Sequence, residues 1–289
     1  MEFTLNHLLC FGFGFSARTL TARLDRRLWK VSATSRNAKG IAEIETQGFH
    51  GLLFDSTLQI APDVTHLLIS APPGENGDPV LQLFEEQLQR LSKQLKWVGY
   101  LSTTGVYGDR GGDWVDESSP LEPNTARGQR RLEAEQGWLR LHSDFGVPVH
   151  VFRLAGIYGP GRNTLLNVRD GSAKRIIKLG QIFSRIHVED IAGVLAASIA
   201  KPNPGRAYNV CDDEPCPPQD VVAYAANLLG LPLPPEIPFE QVELSPMAKS
   251  FYADSKRVSN KRIKIELGYK LLYPNYRDGL RALKTTITA

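Results

Sequence analysis

Short apolar runs that alternate with amphipathic stretches constrain the fold of this chain more than any other feature. An apolar run of this length predicts a buried strand, and the amphipathic stretch after it predicts a helix. The predicted strands are residues 7–12, 29–35, 50–55, 66–72, 97–104 and 147–156. Strands that alternate with helices imply right-handed βαβ units. The sequence therefore predicts an α/β fold with a doubly wound parallel sheet.

Composition excludes several classes of protein. A formal net charge of +3, without a long basic run, argues against a nucleic-acid partner. The three cysteines form no CxxC pair and the six histidines show no metal-ligand spacing, so we expect no metal site and a reducing, cytoplasmic environment. The apolar segment LLCFGFGFSA is interrupted by glycines, and no run approaches the ~20 residues that span a bilayer. We expect no membrane partner, and the choice between a monomer and a homodimer stays open.

A glycine-rich loop follows the first predicted strand. Gly12, Phe13, Gly14, Phe15 and Ala17 form a GxGxxA pattern where that strand gives way to a helix. Glycines at such a point permit a tight turn and let backbone N–H groups approach a pyrophosphate at the positive end of the helix. The pattern predicts dinucleotide binding, and a simple β–α turn is the alternative.

The ends of the next strands indicate which dinucleotide is bound. An NAD site usually ends its second strand with Asp or Glu, whereas this strand ends with Ser35 and Arg36. A hydroxyl and a guanidinium suit a 2′-phosphate, so NADP is favoured over NAD, and a solvated surface arginine is the alternative. Asp55 ends the third strand and could accept a hydrogen bond from the adenine amino group or cap the next turn. Residues 71–74 end the fourth strand at the same edge of the sheet.

Five stretches, in order, resemble the successive blocks of the extended short-chain dehydrogenase/reductase family, that is, the NAD-dependent epimerase/dehydratase family. They are LSTTGVYGDRGGDWVDESSPLEP, FRLAGIYGPGRN, RIHVEDIAG, AYNVCDDEP and ELGYKLLYPNYRDGL. The resemblance implies a Rossmann-type domain with a smaller C-terminal α/β substrate domain. The expected division assigns residues 1–162 to the NAD(P)-binding domain, with elements around 183–212 returning to it. Residues 163–182 and 213–289 would form the substrate-binding cap.

The resemblance also implies roles for individual residues. Thr103 matches the catalytic Ser or Thr that hydrogen-bonds the substrate oxygen. The glycine loop matches the phosphate loop, although the family more often has GxxGxxG there. The remaining implied cofactor contacts are Asp55, Ser56, Ser70, Ala71, Pro72, Pro73, Ala155, Gly156 and Ile157.

The chain departs from the family at its catalytic helix. The family expects Tyr-x-x-x-Lys, with the Tyr as general acid/base and the Lys on the nicotinamide ribose. Here Arg127 stands at the Tyr position and Arg131 at the Lys position, which resembles an atypical subgroup without that pair. Arg131 could still hold ribose hydroxyls, but Arg127 is a poor proton relay because a guanidinium stays protonated.

Two explanations of these arginines stay open. Arg127 and Arg131 lie four residues apart in the first turns of a helix, where cations repel each other and oppose the helix dipole. A bound phosphate or carboxylate would relieve both effects. Alternatively, Arg131 pairs with Glu135, and Glu117 or Asp116 neutralises Arg127.

Other acid/base candidates are Tyr107, Tyr158, Asp109 and His187, and for each a structural role is favoured. The sequence thus predicts an NAD(P)-binding oxidoreductase or epimerase/dehydratase-like enzyme. Its substrate would be a small hydroxy or carbonyl compound, anionic if the arginines bind it. The alternative is a catalytically inactive NADP-binding redox sensor or partner-binding module.

Overall fold

The structure is a computed structural model that describes residues 5–287. The strands are β1 (Asn6–Phe11), β2 (Trp29–Ser35), β3 (His50–Leu53), β4 (His66–Ile69), β5 (Trp97–Thr103), β6 (Trp114–Val115), β7 (Val149–Leu154), β8 (Gly156–Tyr158), β9 (Arg175–Ile177), β10 (Arg185–His187), β11 (Ala207–Val210), β12 (Glu236–Pro238) and β13 (Arg257–Val258). The helices are α1 (Phe15–Ala22), α2 (Ala38–Thr46), α3 (Pro79–Leu91), α4 (Ala126–Phe145), α5 (Thr164–Arg169), α6 (Val188–Ala200), α7 (Pro218–Leu229), α8 (Pro246–Tyr252), α9 (Lys261–Ile265) and α10 (Tyr276–Ile287).

The chain divides into two compact units. The first unit comprises Met1–Thr103, Gln129–Arg153 and Ile191–Tyr208, and the second comprises Thr104–Gly128, Leu154–Asp190 and Asn209–Ala289. Residues 1–4 and 288–289 of these ranges lie outside the described part of the chain. The division differs from the predicted boundaries because residues 104–128 and 154–162 group with the second unit. The roles of the predicted domains stay a prediction.

The main sheet has seven parallel strands in the order β11-β7-β5-β4-β1-β2-β3. All six predicted strands are present in it, and the prediction of an α/β fold with a doubly wound parallel sheet is confirmed. The fourth strand is shorter than predicted. The N–H groups of Ser70 and Ala71 both bond to the carbonyl of Phe11, at 3.0 and 2.9 Å, so the chain leaves the sheet there.

Two helices of the first unit are fixed by a buried aspartate. Asp78 precedes α3 and accepts hydrogen bonds from the N–H groups of Val80 and Leu81, at 2.9 and 3.1 Å. Its other carboxylate oxygen accepts from the indole N–H of Trp138 in α4 at 3.2 Å. The Trp138 ring is fully buried and stacks on Tyr100 of β5. These contacts attach α3 and α4 to each other and α4 to β5 of the sheet.

The second unit combines short strand pairs with its own apolar core. β8 pairs with β10, β9 with β12 and β6 with β13, all in parallel. The core residues lie mainly on α5, α7 and α10 and include Leu165, Ala225, Ala226, Tyr276 and Leu280. Across residues 5–287, no helix is long and apolar enough to cross a membrane.

Candidate functional site

The carboxyl ends of five neighbouring strands carry most of the predicted cofactor residues. Along the neighbouring strands β3, β2, β1 and β4, the residues that follow the strand ends are Asp55, Arg36, Gly12 and Ser70, in that order. The next strand, β5, ends with Thr103. The strand order reverses between β1 and β4, and ligands of open α/β sheets bind at such a switch point. The topology therefore gathers these residues in one row along one edge of the sheet.

Gly12 is held in a conformation that glycine favours. Its φ angle is +87°, and a Cβ atom there would lie 3.0 Å from the hydroxyl oxygen of Ser70 and 3.3 Å from the nitrogen of Ala71. Its N–H donates to the hydroxyl of Thr34 at 3.0 Å, and the Ser70 hydroxyl donates to its carbonyl at 2.9 Å. The first turn of the loop is therefore tied to the ends of both neighbouring strands.

Gly14, in contrast, borders open space. It precedes α1 with φ at −84°, an extended conformation open to other residues, and makes no side-chain cap. No atom lies within 4 Å of the position a Cβ would take. Gly14 therefore provides no side-chain cap for the N–H groups of the first helical turn, and such N–H groups can bind a pyrophosphate. The small side chain of Ala17 is fully buried beneath this turn.

The loop after β2 leaves one guanidinium available. The hydroxyl of Ser35 accepts from the N–H of Asn37 at 3.5 Å, and Asn37 caps α2 by accepting from the N–H of Gly40 at 2.9 Å. Arg36 is exposed, and no hydrogen bond or ion pair of its side chain occurs within residues 5–287. Its charge can therefore bind an anion without breaking an existing contact.

Asp55 caps the turn that follows it, which is one of the two roles that the sequence left open for this residue. Its Oδ1 atom accepts from both the N–H and the hydroxyl of Thr57, at 2.8 and 2.6 Å. These bonds, the side-chain one first, lower the pKa of the carboxyl below its usual value. Both bonds use Oδ1, so an adenine contact through Oδ2 stays a prediction.

The remaining predicted cofactor residues fall in both units. Ser56 and Pro72 are exposed, and Ala71 and Pro73 are half-buried in the first unit. In the second unit, the N–H of Ala155 donates to the carbonyl of Val210 at 3.1 Å. Gly156 and Ile157 pair with Arg185 and Ile186 of β10. Their contact with the nicotinamide stays a prediction.

Arg131 binds the end of β5. Its Nη1 atom donates to the carbonyl of Leu101 at 2.7 Å and to the hydroxyl of Tyr100 at 3.3 Å. The expected pair with Glu135 is wrong, because neither this nor any other ion pair of Arg131 occurs among the described residues. Nε and Nη2 donate no hydrogen bond within that part of the chain, so they can hold ribose hydroxyls or a substrate anion.

Glu135 belongs instead to a buried charge network that sequence reasoning missed. Its carboxylate accepts from Arg153 at 2.9, 3.1 and 3.3 Å, and it also accepts the hydroxyl of Ser102. Glu135 is 1% exposed and Arg153 4% exposed. An arginine inside the apolar run VFRLAG was the available signal, because a charge in a buried strand requires a partner. The network joins α4 to β5 immediately before Thr103.

Arg127 lies in the second unit and packs on an aromatic ring. Its guanidinium carbon lies 5.6 Å from the centre of the Phe251 ring. The Glu117 carboxylate, whose pKa burial raises, lies 3.6 Å from Arg262 and accepts a backbone N–H. Asp116 closes a turn by accepting two hydrogen bonds from Ser118. Glu117 and Asp116, either of which could neutralise Arg127, therefore also bind other groups, and neutralisation of Arg127 by one of them stays a prediction.

The other acid/base candidates serve the structure of the second unit. The hydroxyl of Tyr107 donates to Asn209 at 2.7 Å, and both side chains are fully buried. Buried His187 packs edge-on against Tyr158, and burial raises the pKa of the Tyr158 hydroxyl. Asp109 accepts the N–H of residue 255 at 2.7 Å. These contacts agree with the structural roles that the sequence favoured.

The chain is similar to several known proteins. Residues 76–211 match the model of the NAD dependent epimerase/dehydratase family. A conserved protein of unknown function from Silicibacter pomeroyi is 54% identical, covers 98% of this chain and 100% of its own, and superposes with a TM-score of 0.92. Protein YeeZ of Escherichia coli K12 is 29% identical over 91% of this chain and 95% of its own.

A dehydratase shares the fold at lower identity. The dTDP-glucose 4,6-dehydratase of Bacillus anthracis, solved in complex with NAD, is 18% identical, with a TM-score of 0.76 over 98% of this chain and 96% of its own. The residues that match the family model begin just before α3 and end just after β11, so they include β5, α4 and the Thr103 region. The chain belongs to the NAD-dependent epimerase/dehydratase family.

Proposed function

We propose that the protein is an NADP-dependent oxidoreductase or epimerase/dehydratase-like enzyme that acts on a small, anionic hydroxy or carbonyl compound. The observation that carries the proposal is an exposed Arg36 one strand away from the first turn of α1, which has no side-chain cap from Gly14. A 2′-phosphate and a pyrophosphate are the two anionic groups of NADP, and these two features suit them.

The chain would hold the cofactor along the edge of the sheet. The N–H groups after Gly14 would bind the pyrophosphate, and Arg36 the 2′-phosphate of the adenosine half. Thr103, which lies at the far end of the row, would then face the nicotinamide half. When bound, the cofactor supplies or accepts a hydride, that is, two electrons and one proton.

Two residues would hold the substrate oxygen. The hydroxyl of Thr103 can donate to it, as the family resemblance implies. The free Nε and Nη2 groups of Arg131 lie on a side chain bound to Leu101, two residues before Thr103. A guanidinium keeps its protons at neutral pH, so Arg131 would stabilise negative charge that develops on the oxygen without transferring a proton.

A second function is favoured by one specific observation. In the register that the family resemblance implies, Arg127 and Arg131 stand at the two positions of the Tyr-x-x-x-Lys pair, so the usual general acid/base would be absent. The chain would then bind NADP(H) and report the redox state to a partner without turnover.

The test combines binding with turnover. NADPH binding is measured by the quenching of tryptophan fluorescence, and NADPH oxidation is followed by nicotinamide absorbance with a panel of carbonyl acids. Turnover that a Thr103→Val variant loses, while it still binds NADPH, supports the enzyme. A Thr46→Val variant, changed on exposed α2, should retain turnover. NADPH binding without turnover on any compound supports the redox sensor, and absence of NADPH binding contradicts both functions.

A further inference from the structure

Three side chains hold the glycine-rich loop from three different elements of the first unit. The Thr34 hydroxyl, near the end of β2, accepts the N–H of Gly12 at 3.0 Å, and the Ser70 hydroxyl, after β4, donates to the carbonyl of Gly12 at 2.9 Å. The Nε atom of Arg18 in α1 donates to the carbonyl of Phe13 at 3.0 Å, and the guanidinium lies 5.7 Å from the centre of the Phe13 ring. We call Arg18, Thr34 and Ser70 the loop clamp.

The loop clamp fixes the direction of two peptide groups. Across a trans peptide bond, the carbonyl of one residue and the N–H of the next residue point in opposite directions. Ser70 binds the carbonyl of Gly12, so the N–H of Phe13 points away from Ser70. Arg18 binds the carbonyl of Phe13, so the N–H of Gly14 points away from Arg18.

These two N–H groups are available to a ligand. Within residues 5–287, neither the N–H of Phe13 nor that of Gly14 donates a hydrogen bond, and Gly14 is exposed. Successive backbone N–H groups form a concave site for an anion. Carbonyl oxygens carry partial negative charge and would repel an anion, but both carbonyls of this part of the loop are already bound by side-chain donors.

We propose that the loop clamp positions the N–H groups of Phe13 and Gly14 to bind a diphosphate before the ligand arrives. The inference rests on the proposed function for the identity of this ligand as NADP(H). Arg18, Thr34 and Ser70 act through the backbone of the loop, and they are positioning residues in this role.

The loss of one clamp bond should weaken binding by a predictable factor. Without the bond, the loop also populates conformations that do not bind, and the apparent affinity falls with the fraction of molecules that remain competent. One hydrogen bond shifts such a population about two- to tenfold.

The first variant removes the Thr34 hydroxyl. Thr34→Val keeps the branched shape of this 2% exposed side chain but loses the acceptor for Gly12, so NADPH should bind about two- to tenfold more weakly in calorimetric titrations of the full-length protein. Binding of 2′-AMP, which carries the 2′-phosphate but no pyrophosphate, should be unchanged. Thr34→Ser restores the hydroxyl and should bind NADPH like the wild type.

Thr65 provides a matched control at the opposite end of β1. Its hydroxyl accepts the N–H of His7 at 3.0 Å, the same kind of bond over the same distance as that between Thr34 and Gly12. Thr65→Val should lower the free energy of unfolding in urea and leave NADPH binding unchanged.

A second variant removes the donor to the other carbonyl. Arg18→Met should also weaken NADPH binding about two- to tenfold. Arg26 is the matched control, because its guanidinium donates to the carbonyl of Gln47 at 2.7 Å and lies 4.8 Å from the centre of the Phe49 ring. Arg26→Met loses the same charge and should bind NADPH like the wild type.

Different failures have different meanings. Equal losses of NADPH binding in Thr34→Val and Thr65→Val, unchanged or tighter binding in Thr34→Val, or an equal loss of 2′-AMP binding overturns the role of the loop clamp, and the proposed function stands. If the wild type binds no NADPH, the proposed function fails. Titration with inorganic pyrophosphate then still decides the inference: tighter binding by the wild type than by Thr34→Val supports a clamped diphosphate site, and equal or absent binding overturns it.

Discussion

The buried network of Ser102, Glu135 and Arg153 gives the sharpest stability prediction. In a Glu135→Gln variant, the guanidinium of Arg153 keeps its charge but loses its carboxylate partner. Arg153 is 4% exposed, so water cannot replace the three lost charged contacts. Breaking a buried ion pair in this way costs about 3–5 kcal/mol. Because a folded protein is stable by only ~5–15 kcal/mol, this loss is large.

Removal of both charges should lower the free energy of unfolding less than removal of one charge. A Glu135→Leu/Arg153→Met double variant leaves no buried charge, and such replacements are often neutral or stabilising by about 1–4 kcal/mol. Arg153→Met alone leaves the carboxylate with the Ser102 hydroxyl as its remaining partner in the network, so it should lose about as much as Glu135→Gln. The double variant should therefore be more stable than either single variant.

Urea denaturation followed by tryptophan fluorescence measures these free energies of unfolding. The matched control is Glu122→Gln, which breaks an exposed pair with Arg110 at 2.7 Å and should cost less than about 1 kcal/mol. If the two single losses simply add in the double variant, or if Glu135→Gln costs no more than Glu122→Gln, the network does not contribute as reasoned here.

Three further predictions follow from other parts of the structure. Gly14→Val should keep the melting temperature within a few degrees, because its side chain enters open space, and should abolish NADPH binding; retained affinity would refute the phosphate loop. Burial raises the pKa of Asp212 to about 8, so its contribution to stability is full below its unfolded pKa and is lost as pH rises through about 8. The Asp212→Asn variant should therefore become more stable relative to the wild type as the pH rises from acidic values to about 8. Urea midpoints of the two proteins across this pH range test the prediction, and a pH-independent difference would contradict it. Phosphate or citrate should raise the melting temperature of the wild type more than that of Arg127→Gln at matched ionic strength, and equal shifts would exclude an anion site at this residue.

The sheet could be predicted from sequence because its signal is local. Each strand, such as HLLCFG before the glycine loop, is a continuous apolar run bounded by turn residues, and Asp78-Pro79 is a local helix start. The row of residues at the strand ends followed from parallel topology alone. The unit boundaries did not follow in the same way, because the grouping of residues 104–128 with the second unit depends on contacts with residues distant in sequence, such as the pairing of β6 with β13.

The hydrogen-bond and ion-pair partners of the side chains could not be predicted from the sequence. The i,i+4 spacing of Arg131 and Glu135 suggested an ion pair, but α4 packs on β5 and tertiary contacts prevail. Arg131 instead donates a hydrogen bond to the carbonyl of Leu101. Glu135 pairs with the buried guanidinium of Arg153, and breaking this buried ion pair costs more free energy than breaking an exposed i,i+4 pair on a helix. Long-range pairs of this kind depend on which strands become neighbours, and spacing along one helix carries no information about that.

The central claim, that this chain binds NADP(H) through the loop after β2, is tested most directly by titration calorimetry with NADPH and NADH. The wild type should bind NADPH more tightly than NADH. Arg36→Ala should weaken NADPH binding by ~1–3 kcal/mol, the value of a charge-assisted hydrogen bond, and leave NADH binding unchanged. Arg90→Ala, on α3, should change neither. Equal losses for both cofactors in Arg36→Ala, or tighter binding of NADH by the wild type, would contradict the account.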